Sequence, residues 1–220
     1  MSKKFVIVDY HKGNLSSVAR AFSHAGAQVY ISDNPQDIRM ADAIIVPGVG
    51  AFADAIVYME ESGQADAIRS AVEQKVPYFG ICLGMQVVFE RGNEHALAHD
   101  TSWTPGLGLL PGQCIRLNDA QVKVPHMGWN QVELTPVGKA STFASHLDID
   151  DANMYFTHSY VVTNAPEEVV IATTSYGDNF VCMIEHGSIF GCQFHPEKSS
   201  AAGERIINAF VRHVHDRNVT

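Results

Sequence analysis

A cysteine, a histidine and a glutamate in this sequence have the types and local settings that nucleophilic catalysis requires. Cys82 lies in the run Gly80, Ile81, Cys82, Leu83, Gly84, which has the form G-x-C-x-G, the thiol counterpart of the nucleophile elbow G-x-S-x-G. The two glycines permit a tight, strained turn that exposes the nucleophile. The turn would also place the sulfur at a helix N-terminus, which favours the thiolate. The pattern predicts a reactive cysteine; the alternative is a buried cysteine in an ordinary turn between strand and helix.

A thiolate nucleophile needs a group that transfers protons, and the segment SIFGCQFHPEKS (188 to 199) contains one. Alternate residues of an extended segment face opposite sides, so His195 lies opposite Cys192 and Phe194. Glu197, two residues further on, can return to the side of His195 and fix the tautomer of its ring. These positions predict a Cys-His-Glu triad, whereas a histidine at a strand end beside an exposed glutamate is the alternative.

Acyl transfer also requires hydrogen-bond donors for the developing oxyanion, and one such donor is worth about 10²- to 10³-fold in rate. The backbone N–H of Leu83, directly after the cysteine, is the expected first donor. The second is expected from the turn Pro47, Gly48, Val49, Gly50, which ends a strand and should lie at the same carboxyl edge of the sheet as the cysteine. Without the elbow, this segment would be interpreted as an ordinary β-turn.

The elements that must position these groups follow from the hydrophobic pattern of the first ninety residues. One helix is predicted to begin after Asn14, a residue type favoured at N-caps. Two further helices are predicted over about 51 to 60 and 64 to 74. Apolar, strand-like runs alternate with these helices: FVIVDY, QVYI, ADAIIV and VPYFG. The alternation predicts an α/β fold with a central, mostly parallel sheet flanked by helices.

From about residue 105 the pattern changes to shorter, β-branched segments separated by turns. These segments predict additional, partly antiparallel sheet, with a smaller antiparallel sheet beside the central one, and they are QCIRL, QVKV, NQVEL, MYFTHSYVV, VVIATT, FVCMI and IFGCQF. A last helix is predicted from about 200 to 215. Because there is no repeat and no long linker, we expect residues 1 to 220 to form a single domain.

Composition and charge exclude several classes of function. Acidic residues outnumber basic ones by 24 to 15, and the sequence has no Lys/Arg cluster of the kind that binds nucleic acid phosphates. The N-terminal segment MSKKFVIVDYHKGN contains only a four-residue apolar run, and no later segment approaches the length of a membrane span. We therefore expect a cytoplasmic protein that binds neither nucleic acid nor membrane.

The four cysteines and eleven histidines predict neither disulfides nor a metal site. The cysteines form no C-x-x-C pair and lie in mostly apolar segments, which is typical of reduced thiols. The closely spaced histidines lack a third ligand at a suitable distance in the sequence. The chain also lacks the glycine-rich loops G-x-x-x-x-G-K-[ST] and G-x-G-x-x-G. No cofactor is expected.

PGVG, GICLGMQ and QFHPEKS, in this order, resemble the class I, triad-type glutamine amidotransferases. The resemblance implies the flavodoxin-like fold of that family. It also implies that Cys82 attacks the side-chain amide of glutamine, that His195 passes a proton to the leaving ammonia, and that Glu197 orients His195. A glutamyl thioester would form, and water would cleave it.

Flanking segments along almost the whole chain are similar to one branch of that family, the glutaminase subunits of imidazole glycerol phosphate synthase in histidine biosynthesis. The segments are VDYHKGNLSSV, IIVPGVGAFADA, GICLGMQVVFE, GLGLLPG, VPHMGWN, YFTHSY and GCQFHPEKSSAAG. This resemblance implies a heterodimer with a (β/α)₈-barrel cyclase subunit that receives the ammonia. Two alternatives remain: the glutaminase subunit of another amidotransferase, such as those for anthranilate or pyridoxal phosphate synthesis, or a docking subunit without catalysis.

Matching positions carry further implied roles. Glutamine would be held by Gln86, Glu94 and the backbone around His158, Ser159 and Tyr160. Near the partner subunit would lie Asn14, Met127, Trp129, Tyr155 and Lys198.

The sequence departs from the family pattern at two places. His11 stands where the family usually has a glycine after DY, so the first loop is expected to differ in shape. The insert ERGNEHALAHDTSWTP is longer and more polar than the family pattern implies, and Glu94 lies within it.

Overall fold

Strands and helices alternate through the first half of the chain, as its hydrophobic pattern predicts. The computed structural model describes residues 3–94, 103–120 and 122–217. The elements up to the elbow are β1 Lys4–Val8, α1 Leu15–His24, β2 Gln28–Ser32, α2 Pro35–Arg39, β3 Ala43–Val46, α3 Phe52–Glu61, α4 Gln64–Glu73 and β4 Tyr78–Ile81.

The second half is rich in short strands and ends in a long helix. After the elbow come α5 Leu83–Gln86, β5 Phe89–Gly92, β6 Thr104–Pro105, β7 Leu110–Arg116, β8 His126–Gln131, β9 Glu133–Leu134, α6 Pro136–Ala140, β10 Asn153–His158, β11 Tyr160–Thr163, β12 Val170–Tyr176, β13 Asp178–His186, β14 Ile189–Cys192 and α7 Ser200–Asp216. Short 3₁₀ turns lie at Glu167–Val169 and Pro196–Lys198.

One large sheet has the strand order β2-β1-β3-β4-β14-β13-β11-β7-β5-β6, with β12 and β9 paired beside β13. The strands from β2 to β14 are parallel, and β13, β11 and β7 extend the sheet with antiparallel pairs. In register, Gly80 of β4 lies between Val46 of β3 and Gly191 of β14. The carboxyl ends of these three strands therefore meet at one edge of the sheet, directly before the predicted catalytic segments.

A separate two-stranded antiparallel sheet pairs β8 with β10. Its register sets His126 opposite His158 and Trp129 opposite Tyr155. The predicted fold class, a largely parallel sheet flanked by helices with a smaller antiparallel sheet, is confirmed.

Apolar side chains fill both faces of the large sheet, which is why its parallel strands are continuous apolar runs. Alternate residues of β1 enter opposite cores: Phe5 packs with residues of α1 and α7, whereas Val6 packs with residues of α3 and α4. A fully buried side chain such as Phe22 contributes about 1.5 to 3 kcal/mol through its burial. The two cores hold rigid the sheet edge that carries the cysteine.

Within the described residues one predicted strand is absent, and two local features were not predicted: the early end of the helix after the elbow, and helix α2. The helix after the elbow ends at Gln86, because Val87 and Val88 then use their carbonyls to accept hydrogen bonds from the segment 107 to 110. Residues 122 to 124 of the predicted strand QVKV form no strand, and residue 121 lies outside the described residues. Helix α2 was not predicted, although Asn34 caps it and Pro35 occupies its first turn, both recognised start signals.

Candidate active site

Cys82 occupies a strained turn between β4 and α5. Its φ is 54° and its ψ is −109°, a conformation that L-residues rarely adopt. A Cβ added at Gly84 would collide with the carbonyl oxygen of Val46, and one at Gly80 would collide with the backbone of Gly84. The two glycines of G-x-C-x-G are therefore required for steric reasons, as the sequence predicts.

His195 and Glu197 follow β14 and lie beside this turn. The Nδ1 atom of His195 is 2.8 Å from Oε1 of Glu197, and both side chains are almost completely buried. The backbone N–H of His195 donates to the carbonyl of Tyr155 in β10, and the hydroxyl of Ser199 donates to the carbonyl of His195. The backbone of His195 is therefore held by Tyr155 and Ser199 and its ring by Glu197, which leaves the Nε2 atom available to the cysteine.

The electrostatics of His195 favour its protonated form. Burial lowers its pKa, but the neighbouring Cys82 and Glu197 more than offset burial and raise that pKa to about 9. The Nε2 atom is buried and has no hydrogen-bond partner of normal geometry within the described residues. The ring of His195 is therefore protonated at neutral pH and has an Nε2 proton to donate, which is what a cysteine nucleophile requires of its partner.

The turn Pro47 to Gly50 packs directly on the elbow. A Cβ at Gly48 would lie 2.6 Å from both Leu83 Cβ and the Tyr10 hydroxyl oxygen, so only glycine fits there. The buried Tyr10 hydroxyl donates to the Pro47 carbonyl at 2.7 Å, and burial raises the pKa of Tyr10, which keeps it a donor. The N–H of Leu83 makes no hydrogen bond within the described part of the chain. It is free to bind an oxyanion.

A cleft of about 250 Å³ opens above Cys82. It is lined by most of the residues that the sequence assigned to glutamine or to the oxyanion: Val49, Gly50, Leu83, Gln86, Glu94, His158, Ser159 and Tyr160. Gly48 does not line it but supports it from behind. Three larger clefts, of about 380, 600 and 640 Å³, do not contain Cys82, although Glu197 lines the first of them. The cleft of about 250 Å³ is the candidate active site because Cys82 lines it.

The orientation of Gln86 is fixed by its neighbours. Its Nε2 donates to the Tyr160 carbonyl at 2.8 Å and to Oε1 of Gln193 at 2.9 Å. A carbonyl only accepts, so the amide nitrogen must face Tyr160. The side-chain oxygen of Gln86 is left as an acceptor for a ligand amine or amide in the cleft.

Glu94 lines the cleft and also stabilises the start of a helix. Its Oε2 accepts the N–H of Phe52 at 3.0 Å, at the start of α3, where Ala51 provides no side-chain cap. The position at the cleft agrees with the sequence assignment. Residues 95 to 102 of the polar insert lie outside the described residues.

A sequence model described as "Glutamine amidotransferase class-I" matches residues 6–214. This chain belongs to the class-I glutamine amidotransferase family. The family resemblance predicted from the motifs is therefore confirmed.

Curated relatives of this amidotransferase match it along almost its whole length. The Streptococcus gordonii protein named "Imidazole glycerol phosphate synthase subunit HisH" is 42% identical over 212 residues, which are 96% of this chain and 97% of the relative. Proteins of the same name from Moorella thermoacetica and Thermosynechococcus vestitus are 42% and 41% identical, again over 96% of this chain and 97% of the relative.

Solved structures share the fold at lower identity. A structure described as glutamine amidotransferase superposes with a TM-score of 0.72 at 20% identity, over 96% of this chain and 98% of the other. The glutaminase domain of Trypanosoma brucei CTPS gives 0.68 at 18% identity, over 99% of this chain and 94% of the other. At these identities the likeness is one of fold.

In this amidotransferase a buried histidine pair lies between the cleft and the small sheet. His158 Nδ1 lies 3.0 Å from the Tyr160 carbonyl and must carry a hydrogen, so His158 Nε2 accepts from His126 Nδ1 at 3.1 Å. Burial lowers the pKa of His126 to about 4 and that of His158 to about 3, and the second ring also lowers the pKa of His158. Both rings are therefore neutral at pH 7.

The amidotransferase gathers four of its five predicted interface residues on the outer face of the β8–β10 sheet. Met127 and Trp129 are 65% and 54% exposed, which is unusual for large apolar side chains. Trp129 packs edge-on to Tyr155, and the ammonium of Lys198 lies 5.8 Å from the Tyr155 ring centroid. Asn14 lies apart from this group, where its side chain caps α1 by accepting the N–H of Ser17.

His11, the departure from the family pattern in the first loop, has a φ of 60°. Glycine adopts such a backbone conformation at little cost, so the loop keeps a glycine-type backbone. Gly13 in the same loop approaches Val49: a Cβ there would lie 3.9 Å from the Val49 nitrogen. The first loop therefore neighbours the predicted oxyanion turn.

Sequence reasoning missed several residues of the site. Gln193 contacts both Gln86 and Cys82, and Pro125 and Thr157 line the cleft. Gln193 had a usable signal, because it precedes His195 by two residues in an extended segment and so shares its side. Pro125 and Thr157 lie within the family segments VPHMGWN and YFTHSY, but only the tertiary fold brings them to the cysteine.

Within the described residues, no group of three or more histidine, cysteine, aspartate or glutamate side chains is arranged to bind a metal ion. No helix in the described ranges is both long and apolar enough to cross a bilayer.

Proposed function

We propose that this chain is the glutaminase subunit of imidazole glycerol phosphate synthase and hydrolyses glutamine through Cys82, His195 and Glu197. The observation that carries the chemistry is the buried His195–Glu197 pair, joined at 2.8 Å beside a cysteine in a strained elbow. The observation that carries the specific reaction is the 41–42% identity to relatives of that name over 96% of this chain.

In the first half-reaction the thiolate of Cys82 attacks the side-chain amide carbon of glutamine. The carbonyl oxygen becomes an oxyanion, which the Leu83 N–H and a donor from the turn Gly48 to Gly50 stabilise. His195 gives its Nε2 proton to the amide nitrogen as the C–N bond breaks, so ammonia leaves and a thioester remains. Glu197 keeps the tautomer of His195 correct during this transfer.

In the second half-reaction water attacks the thioester carbon. His195, now neutral, takes one proton from the water, and the tetrahedral intermediate collapses by expelling the Cys82 thiolate. Glutamate leaves, and the thiolate–imidazolium pair is restored. The glutamine substrate would be held by the free side-chain oxygen of Gln86, by Glu94, and by the backbone from His158 to Tyr160, all of which line the cleft.

The released ammonia needs a partner. In water most of it would become ammonium, which is not nucleophilic, so it must pass to an acceptor through a protected route. We propose that the partner is a (β/α)₈-barrel cyclase subunit in a heterodimer, and that it docks on the face of Met127, Trp129, Tyr155 and Lys198. The exposed aromatic and thioether side chains support this assignment, because such side chains are enriched at interfaces.

Acceptor binding would complete the oxyanion hole, with the turn Gly48 to Gly50 as the element that responds. Val49 is 42% exposed, and its neighbour Gly50 has a φ of 109° that permits a change of backbone orientation. The nearby loop of Gly13 and Asn14 could transmit contact with the partner. Glutamine hydrolysis should therefore rise when the cyclase and its ligand are added; equal turnover with and without them contradicts this part of the proposal.

The active-site assignment is tested by labelling with a glutamine-analogue electrophile. The chain should gain one covalent adduct, and Cys82→Ser should abolish it. Cys182→Ser is the matched control because Cys182 is fully buried in β13, and this variant should label as the parent does. Labelling that survives in Cys82→Ser would contradict the proposed nucleophile.

The choice among amidotransferases is tested by the acceptor. Co-purification with the cyclase, followed by a glutamine-dependent synthase assay, should give imidazole glycerol phosphate. A glutaminase subunit for anthranilate or pyridoxal phosphate synthesis would give no imidazole glycerol phosphate in this assay, but the glutamine-analogue electrophile would still label it. A docking subunit without catalysis would bind the cyclase but would not label.

The proposal includes a single domain and a cytoplasmic location. The continuous sheet from β2 to β6 joins both halves of the chain and supports one domain over residues 1 to 220. The four cysteines are unpaired, which suits a reducing compartment.

A further inference from the structure

Gln193 brings a side-chain amide to the sulfur of Cys82. It directly follows β14, and the register of β14 with β4 pairs Cys192 with Ile81, so Gln193 and Cys82 are the next residues on neighbouring strands. The Gln193 side chain is fully buried, and its Nε2 lies 3.5 Å from Cys82 Sγ. That separation is within hydrogen-bond range for a sulfur acceptor.

The direction of this hydrogen bond is fixed by a chain of neighbours. The Tyr160 carbonyl can only accept, so it takes one N–H of Gln86. The other N–H of Gln86 points to Oε1 of Gln193. The Gln193 amide must then present its nitrogen to the sulfur, because its oxygen is already an acceptor for Gln86. An ordinary backbone carbonyl thus determines which atom faces Cys82.

We propose that Gln193 stabilises the thiolate of Cys82 by donating its side-chain N–H to the sulfur, in addition to the stabilisation by His195. This inference rests on the proposed function for its catalytic meaning. The sulfur is negatively charged before it attacks the amide and again when water displaces it from the thioester. A donor that stays in place at the sulfur favours both of these states, and a charged acceptor strengthens such a bond.

The rate of alkylation by iodoacetamide across pH, measured on the full chain without a partner, tests this role. The other cysteines, Cys114, Cys182 and Cys192, are at most 1% exposed, so the reaction reports on Cys82, and Cys82→Ser gives the background. Gln193→Met keeps the length of the side chain and removes the donor. We expect the pH midpoint of alkylation to rise by about one unit, so that at pH values well below the midpoint the reaction is about tenfold slower than in the parent.

Gln64 provides the matched control. It is also fully buried, and its Nε2 donates to the carbonyls of Asp9 and Asp33, away from the cysteine. Gln64→Met should lose stability without moving the alkylation midpoint. If Gln193→Met moves the midpoint no more than Gln64→Met does, the inference is overturned. Gln193→Glu, which puts a carboxylate beside the sulfur, should raise the midpoint further than Gln193→Met; an unchanged midpoint also overturns it.

A measurement on the parent chain avoids any variant that fails to fold. The side-chain amide protons of Gln193, observed by NMR, should shift with the same pH midpoint as the alkylation rate. If the chemical shifts of these protons do not change at the alkylation midpoint, the inference is overturned. These readouts need neither glutamine nor a partner, so a chain that passes them but is not labelled by the glutamine analogue would refute the proposed function and leave the thiolate donor standing.

Discussion

At the scale of single residues, the charge on His195 is decided by competition between burial and its neighbours. Burial lowers the pKa of His195, yet Cys82 and Glu197 raise it to about 9. In the proposed mechanism this proton goes to the leaving ammonia. Cys82 and the buried carboxylate of Glu197 at Nδ1 both favour the protonated ring, which is the form that can act as an acid.

Glu197→Gln should lower kcat for glutamine by about 10²-fold or more, because it removes the group that stabilises the imidazolium. The folded-state pKa of His195 lies above its unfolded value of 6.5, so its stabilisation is complete below pH 6.5 and is lost as pH rises through about 9. The difference in the free energy of unfolding between parent and variant should thus be larger at pH 6 than at pH 9.5. Urea unfolding and initial-rate assays measure both.

The matched control for this variant is Glu204→Gln in α7, where the glutamate is exposed. It should change neither kcat nor the pH dependence of stability. A Glu197→Gln enzyme with parental kcat would remove Glu197 from the triad.

At the scale of elements, three parallel strands place the candidate catalytic segments at one edge of the large sheet. The turn after β3 carries Gly48, the turn after β4 carries Cys82, and the segment after β14 carries Gln193 and His195. Close approach of these turns leaves no room for side chains at the glycines between them. The precision of the site comes from sheet register, supported by a core on each face.

Gly84→Ala should destabilise the fold by on the order of 3 kcal/mol or more, because its Cβ would overlap the Val46 carbonyl of the neighbouring strand. Gly187→Ala is the control. Gly187 has a φ of 59° in the turn between β13 and β14 but open space around it, so its substitution carries only backbone strain of about 1 kcal/mol. Urea unfolding compares the two; equal losses would contradict the steric account.

The histidine pair joining β8 to β10 should make stability fall in mild acid. Both folded-state pKa values, about 4 and about 3, lie below the unfolded value of 6.5, so the unfolded chain takes up protons first as pH falls. His126→Phe should reduce the stability lost between pH 6.5 and pH 5 by about 2 kcal/mol. Replacing the exposed His186 with Gln should leave that loss as in the parent. An unchanged loss in His126→Phe contradicts the assignment.

At the scale of the whole molecule, the candidate active site and the proposed interface share the small sheet, which packs beside the carboxyl edge of the large sheet. The β8–β10 sheet buries its inner residues against the site and exposes Met127 and Trp129 on its outer face. Its β10 strand also binds the backbone of His195. A partner on the outer face would therefore contact the same element that positions His195.

Met127→Ala should weaken binding of the cyclase about tenfold, a loss expected of a residue near the centre of an interface. Met40→Ala is the matched control, because Met40 is equally exposed, at 65%, but follows α2 elsewhere on the surface. Titration of each variant with the cyclase gives the two dissociation constants. Parental affinity in Met127→Ala, or an equal loss in Met40→Ala, would remove this face from the proposed interface.

Much of this protein was predictable from local sequence. The parallel strands, the helices α1, α3, α4 and α7, and the capped start at Asn14 follow from hydrophobic periods and capping residues, which are properties of neighbouring residues. The elbow at Cys82 was predictable for the same reason, since its two glycines are needed within five residues. His195 and Glu197 were predicted as partners from the alternation of side chains in residues 188 to 199, although they lie far along the chain from the cysteine.

Only the tertiary structure decided the rest. The helix after the elbow ends at Gln86 because a distant segment pairs with Val87 and Val88, and local spacing carries no trace of that partner. The role of Gln193 depends on a register between β4 and β14 and on a carbonyl at Tyr160 that orders two amides. Sequence determines which groups are available, whereas their hydrogen-bond directions and proton affinities depend on burial and on neighbours that only folding supplies.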